Sequence, residues 1–231
     1  MLFRSLRVPR EERSSFKRRL KALAADGALL QIRGNRFALP DKMDLIVGRL
    51  TTNPSGFGFV VPEGTEGAPR GERQDIYIAA ANLTEAMHGD RVVARVERRT
   101  DKGLEGRIVR ILERSQETIV GRFETDDAGL GYVVPFDRRV LTDVQVPSGQ
   151  SSSAEPGEMV LVEITRWPTA TRGPAGKVVE VLGGIDEPGV DTQIIIRKYG
   201  IPDAHSDEAV QEALRLGTEV RERDKIGRAH V

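Results

Sequence analysis

The chain has 231 residues, 35 basic and 35 acidic side chains and 39% hydrophobic content, enough for more than one small core, and no apolar run of bilayer-spanning length. It has no cysteine, which excludes disulfides and thiol chemistry and fits a cytoplasmic setting, and its start, "MLFRSLRVPR", lacks a signal-peptide core. The zero net charge hides a gradient. Residues 1–42 hold 11 Lys/Arg against 4 Asp/Glu; residues 43–114 hold 11 of each; residues 115–184 hold 6 against 10 and residues 185–231 hold 7 against 10. A basic head on a neutral-to-acidic body points the head toward a polyanion, a solvated helix face being the plainer alternative.

Pro9 can open a helix in which Phe16, Leu20, Leu23 and Ala24 recur at helical spacing, with Arg13, Lys17, Arg18, Arg19 and Lys21 on other faces and Gly27 as the stop. "LLQIRGNRFAL" (29–39) then reads as a hairpin around Gly34-Asn35, with Arg33 and Arg36 near the tip. Helix followed by basic hairpin is the order of a winged helix-turn-helix, cut short because only "MLFRSLR" precedes it. The alternative is a packing cap for the neighbouring domain.

The body repeats itself. "GRLTTNPSGFGFVVP" (48–62) and "GRFETDDAGLGYVVP" (121–135) stand 73 residues apart, and the likeness continues from "DIYI" to "DVQV", from "HGDRVVARVE" to "PGEMVLVEIT" and from "EGRIVRILER" to "AGKVVEVLGG". In the first copy, strands are expected near 45–51, 56–61, 75–79, 90–97 and 105–112, where Val and Ile alternate with polar residues. Five short strands with no intervening helix make each copy a candidate for a closed oligonucleotide-binding barrel, with an open sandwich as the competitor. The expected organisation is therefore mainly β: a partial winged helix at 1–42, barrels at 43–114 and 115–184, and a trailing segment at 185–224.

Phe57 and Phe59 are two apart on one strand and share a face, and Tyr77 lies in the run expected to pair beside them. Gly56 and Gly58 are read as leaving room for a flat base against these rings. Stacking on aromatic side chains tolerates sequence and contributes ~1–3 kcal/mol per base. Arg49 and Arg91 are candidate phosphate contacts, and Arg122 and the Tyr132 ring are candidate RNA-binding residues of the second copy. Phe57 and Phe59 as ordinary core residues are the alternative.

"SGFGFVVP", "DIYIAAANL" and "HGDRV" resemble the cold-shock domain and its two aromatic nucleic-acid-binding motifs. The whole order, from the basic head through "GRLTTNPSGFGFVVPE", "DIYI", "AMHGDRVVARV" and "EGRIVRILER" to a degenerate second copy, resembles the N-terminal half of the RNase II family of exoribonucleases, in its ribonuclease R branch. The resemblance implies that Phe57, Phe59 and Tyr77 stack on single-stranded RNA and that a magnesium-dependent nuclease domain follows in the family. The second copy departs from the pattern: Leu130 replaces a Phe, Tyr132 keeps a ring, and Gln145 stands where Tyr77 does. His88 in the "MHGD" loop is expected to serve a structural turn.

No constellation for hydrolysis is legible. Asp126-Asp127 is the only Asp-Asp pair and reads as a turn; Asp203, Asp207, Glu208 and Glu212 surround a helix start capped by Ser206; His88, His205 and His230 lack paired metal-ligand spacing. No cofactor is expected in this chain, magnesium belonging to the family's nuclease domain, and the chain alone is expected to be inactive. "GVDTQIIIRKYGIP" (189–202) resembles the family's entry to that domain, and "KIGRAHV" (225–231) reads as a translated sequencing adapter after a gene fragment ending near Asp224. The expected partner is single-stranded RNA, with structured RNA at the head, no membrane, and a monomeric state. A stand-alone RNA-binding or chaperone protein is the second reading, and a protein-binding scaffold the third.

Overall fold

The computed structural model describes residues 8–32, 36–39, 44–64, 74–101 and 103–216. The Gly34-Asn35 tip with Arg33 and the stretch 225–231 lie outside them. Helix α1 (Arg13–Ala25) is followed by a hairpin of β1 (Leu30–Ile32) and β2 (Arg36–Ala38). The helix turns its polar side outward and buries Ala24; it stops at Gly27, whose φ of 81° suits a residue without Cβ. That turn is also a contact point, since a Cβ on Gly27 would meet Leu112 Cδ1 at 2.6 Å. Leu45, Val47, Val93 and Leu112 form a small apolar cluster on the outside of the first barrel beside it.

The first barrel closes in the order β3 (Leu45–Thr52), β4 (Gly58–Pro62), β5 (Ile76–Ile78), β7 (Gly103–Glu113), β6 (Arg91–Thr100). The second repeats it with β8 (Thr118–Thr125), β9 (Gly131–Pro135), β10 (Val144–Val146), β12 (Ala175–Gly184) and β11 (Glu158–Arg166). The open sandwich is thereby excluded: a parallel pairing, β5 with β7 and β10 with β12, seals each sheet. Inward positions alternate with outward ones, so Leu50, Val60, Ile76, Ile78, Val92, Ala94 and Ile108 fill one core, and Phe123, Val133, Val144, Val160, Val162 and Val178 fill the other. The duplication extends to register. Gly48 opposes Pro62 as Gly121 opposes Pro135, and a Cβ on either glycine would run into the carbonyl of Val61 or Val134.

The barrels meet through the "AMHGD" loop. Met87 of the first barrel joins the second barrel's core cluster. Asp90, 1% exposed, accepts from Met87 N at 2.9 Å, Ser115 N at 3.1 Å and Arg114 Nη1 at 2.8 Å, tying this loop to the inter-barrel linker. Arg114 lies 4.7 Å from the Trp167 ring centroid in the second barrel. His88 Nδ1 accepts from Thr52 N at 3.2 Å, and the Thr52 hydroxyl donates to the Arg139 carbonyl across the joint. His88 thus sits in a turn, as its neighbours suggested.

Beyond the barrels, α2 (Val190–Tyr199) seats Val190 and Ile194 against Val120, Met159 and Leu182, and Arg197 pairs with Glu180 at 2.6 Å. Helix α3 (Asp207–Leu216) begins after Ser206, whose Oγ accepts from Ala209 N at 3.2 Å, the cap expected from sequence. No helix among the described residues is long and apolar enough to cross a membrane.

Candidate nucleic-acid interface

The first barrel's outward face is built by register. Phe59 lies between Thr51 on β3 and Tyr77 on β5, while the next residue, Val60, lies between Leu50 and Ile76 and points into the core. Phe57 lies just before β4, at the end of a tight turn. Asn53 N donates to the Phe57 carbonyl at 2.7 Å, Ser55 N donates to Asn53 Oδ1 at 2.9 Å, and Gly56 takes a φ of 92° that the turn requires. The three rings form a triangle, with centroids 5.7 Å (Phe57–Phe59), 5.6 Å (Phe57–Tyr77) and 5.8 Å (Phe59–Tyr77) apart in edge-on and tilted contacts. None belongs to a core cluster, and Phe59 and Tyr77 stay 37% and 36% exposed.

Open grooves flank the rings. One of about 560 Å³ runs past Thr51, Phe59, Val61, Arg99 and Leu104. Another of about 250 Å³ lies between Tyr77, Asn82, Arg98 and Glu105. Gly58 differs from the sequence reading. Its position is inward, and a Cβ there would meet Leu50 Cδ1 at 2.9 Å, so it serves core packing while only Gly56 belongs to the turn beside the rings.

The cations are placed unequally. Arg49 and Arg91 are register partners on the same face. Arg49 is exposed and donates to the Gly89 carbonyl at 3.0 Å. Arg91 is held by Glu63 and lies 3.6 Å from Asp26, joining the head to the barrel; its hydrogen bonds hold the Glu63 carboxyl below its ordinary pKa. On the second barrel Arg122 pairs with Glu124 at 2.6 Å. Tyr132 is half-buried, opposite Gln145 and Glu124, and Leu130 is 64% exposed. The structure thus brings Phe57, Phe59 and Tyr77 into one cluster, sets Arg49 and Arg91 further along the same face, and puts Arg122 and Tyr132 on the equivalent face of the other barrel.

Sequence reasoning passed over Arg98 and Arg166, which flank Tyr77 and Gln145 at the groove rims. The repeat carries a signal for them: Tyr77 to Gln145 and Arg98 to Arg166 are both steps of 68 residues. Asp126 Oδ1 accepts from Ala128 N and Leu130 N, confirming its turn role. Near the joint, Arg139 and Lys198 hold the Asp137 carboxyl well below its usual range. Burial, with the Arg139 charge nearby, holds the His88 imidazole below its ordinary value. No group of three His, Asp or Glu side chains suited to a metal ion occurs among the described residues.

Comparison with known proteins matches each barrel separately. Residues 48–111 fit the family model of the Ribonuclease B OB domain, and residues 132–206 fit that of a Cold shock domain. The chain is 38% identical to ribonuclease R of Vibrio parahaemolyticus over 229 residues, covering 98% of this chain and 27% of the relative. It is 34% identical to ribonuclease R of Acidithiobacillus ferrooxidans over 226 residues, covering 96% of this chain and 50% of that one. Among solved structures, apo Mycoplasma genitalium RNase R superposes with a TM-score of 0.62 at 20% identity, over 78% of this chain and 28% of that one. The same enzyme in complex with ribose methylated single-stranded RNA gives 0.57 at 18% identity over the same shares, a likeness of fold. The chain thus spans between about a quarter and a half of the relatives it matches.

Proposed function

We propose, since the chain belongs to the ribonuclease R family, that it is the RNA-binding front of a 3′-to-5′ exoribonuclease, holding single-stranded RNA on its barrel faces and guiding it toward a nuclease domain outside this chain. The observation that carries the reading is the Phe57–Phe59–Tyr77 triangle on an outward face, Phe59 and Tyr77 exposed and Phe57 half-buried, while aliphatic residues fill the core behind it. Rings in such a position stack on bases without regard to sequence. Arg49 is available to a phosphate directly, whereas Arg91 and Arg122 would first have to leave Glu63 and Glu124. The basic face of α1 with its hairpin is read as a partial winged helix that meets structured RNA. The compartment is read as the cytoplasm and the working unit as a monomer. The magnesium that the family's nuclease domain uses finds no fitting residue set among those described, so hydrolysis is not assigned to them.

Titration of a labelled single-stranded oligoribonucleotide by fluorescence anisotropy tests this. Binding should weaken steeply as salt rises, and the RNA should stay intact with or without magnesium. Salt-insensitive or absent binding would remove the reading.

A further inference from the structure

The two faces correspond strand by strand. Phe59 opposes Tyr77 as Tyr132 opposes Gln145, and Tyr77 opposes Glu105 as Gln145 opposes Ala175. On the adjoining strands both barrels carry the same irregularity. Val96 opposes Gly106, one residue is skipped, and Arg98 opposes Glu105; Ile164 opposes Gly176, one residue is skipped, and Arg166 opposes Ala175. Arg166 is therefore Arg98 in its second appearance. The cation is kept while two neighbours change: a ring becomes an amide, and a carboxylate becomes a methyl group.

Both changes act in one direction. In the first barrel Arg98 stands beside the Glu105 carboxylate and a stacking ring. In the second the acid directly opposite the arginine is gone, Ala175 standing in its place, and Arg166 Nη2 donates to Gln145 Oε1 at 3.4 Å. With that oxygen accepting, the two N–H donors of the Gln145 amide are left for another partner, beside the remaining guanidinium donors of Arg166. They line a groove of about 640 Å³ that also holds Leu130, Tyr132, Asp126 and Asp143. A base against Tyr132 and Leu130 would thus bring its edge to a row of adjacent donors.

We propose, resting on the RNA-binding reading above, that this groove on the second barrel is a base-reading subsite selecting guanine, with Gln145 and Arg166 as its specificity-determining residues. Guanine sets two acceptors, O6 and N7, side by side, the edge that paired donors match. Adenine and cytosine each put an amino donor next to their acceptor, and uracil separates its carbonyls with N3–H. The duplicated fold thereby divides its labour: the first barrel grips any base by stacking, and the second fixes the register of the strand at a guanine.

The test uses the full chain and a set of oligouridylates, each with one G, A or C at a scanned position, titrated by anisotropy at fixed salt. A single G at one position should raise affinity about fivefold over all-U, the low end for a paired donor contact at an exposed site, and A or C should raise it less. Gln145→Leu and Arg166→Ala should each bring the G-to-U ratio close to one. Gln145→Tyr, which restores the first barrel's third ring, should raise all-U affinity while erasing the G preference. Binding with no position-specific G preference, or with a preference that Gln145→Leu leaves intact, would overturn this inference alone. Failure of the unaltered chain to bind any of these oligomers would overturn it together with the RNA-binding reading.

Discussion

Asp90→Ala should uncouple the two barrels. The carboxylate is 1% exposed and accepts three hydrogen bonds, from Met87 N, Ser115 N and Arg114 Nη1, at 2.9, 3.1 and 2.8 Å. Truncation leaves two backbone N–H groups without acceptors and a cation without its counter-ion. Each orphaned buried donor costs about 1–3 kcal/mol, and breaking a buried ion pair costs about 3–5 kcal/mol. The Arg114 side chain is 19% exposed, regains water on one side and keeps its bond to the Glu85 carbonyl, so the pair is discounted to about 1 kcal/mol; with about 1 kcal/mol for each of the two N–H groups, the loss is about 3 kcal/mol. With a urea slope of ~2 kcal/mol per M, the unfolding midpoint should fall by about 1.5 M. Trp167, the chain's one tryptophan, is the reporter, because Arg114 lies over its ring. Asp90→Ala should shift Trp167 emission before far-UV circular dichroism changes; Asp90→Asn, which keeps the shape and one acceptor oxygen, should cost less. A midpoint within about 0.3 M of the unaltered chain, with unchanged emission, would refute the assignment of Asp90 to the joint.

Phe57→Ala should lower affinity for single-stranded RNA about tenfold, the loss of one stacking ring. Tyr132→Ala should lower it less, about threefold, because Leu130 and Gln145 leave Tyr132 without a ring triangle; parallel anisotropy titrations compare the two, and equal losses would contradict the division between the barrels. Stability should also fall between pH 7.5 and 5.5. The His88 imidazole titrates below its ordinary 6.5 when folded, so the unfolded chain takes up a proton first, and folding loses free energy as pH falls through 6.5 toward the folded-state pKa. Glu63, Asp137 and Glu180 have lowered pKa values and lose their stabilising charge only at more acid pH. Melting temperatures of the unaltered chain and His88→Gln should therefore diverge in slope across pH 7.5–5.5, and equal slopes would count against the role.

Much of the fold is written in alternation and repetition. Burial alternates over residues 48–52 and 58–60 although the second of these runs holds no polar side chain, and the copies agree in register because Gly48 and Gly121 both lie where a carbonyl forbids a Cβ. Barrel closure was less legible, because it rests on parallel contacts of the three-residue strands β5 and β10, too short to announce a partner. The ring cluster was readable from a spacing of two. The environment of each arginine was not: Arg91 meets Glu63 and Asp26 from distant segments, and bulges bring Arg98 and Arg166 to the groove rims. Gly58 was misread for a related reason. The turn at Gly56 places Phe57 beside Phe59, and Gly58 between them follows the strand alternation into the core.

The most direct test of the central claim is an amide-resolved NMR titration of the isotope-labelled chain with a short single-stranded oligoribonucleotide. The account predicts shift changes concentrated on β4, β5 and the Asn53–Phe57 turn, with a smaller set on β9, β10 and Arg166. Changes confined to α1 and its hairpin, or none at saturating RNA, would contradict it.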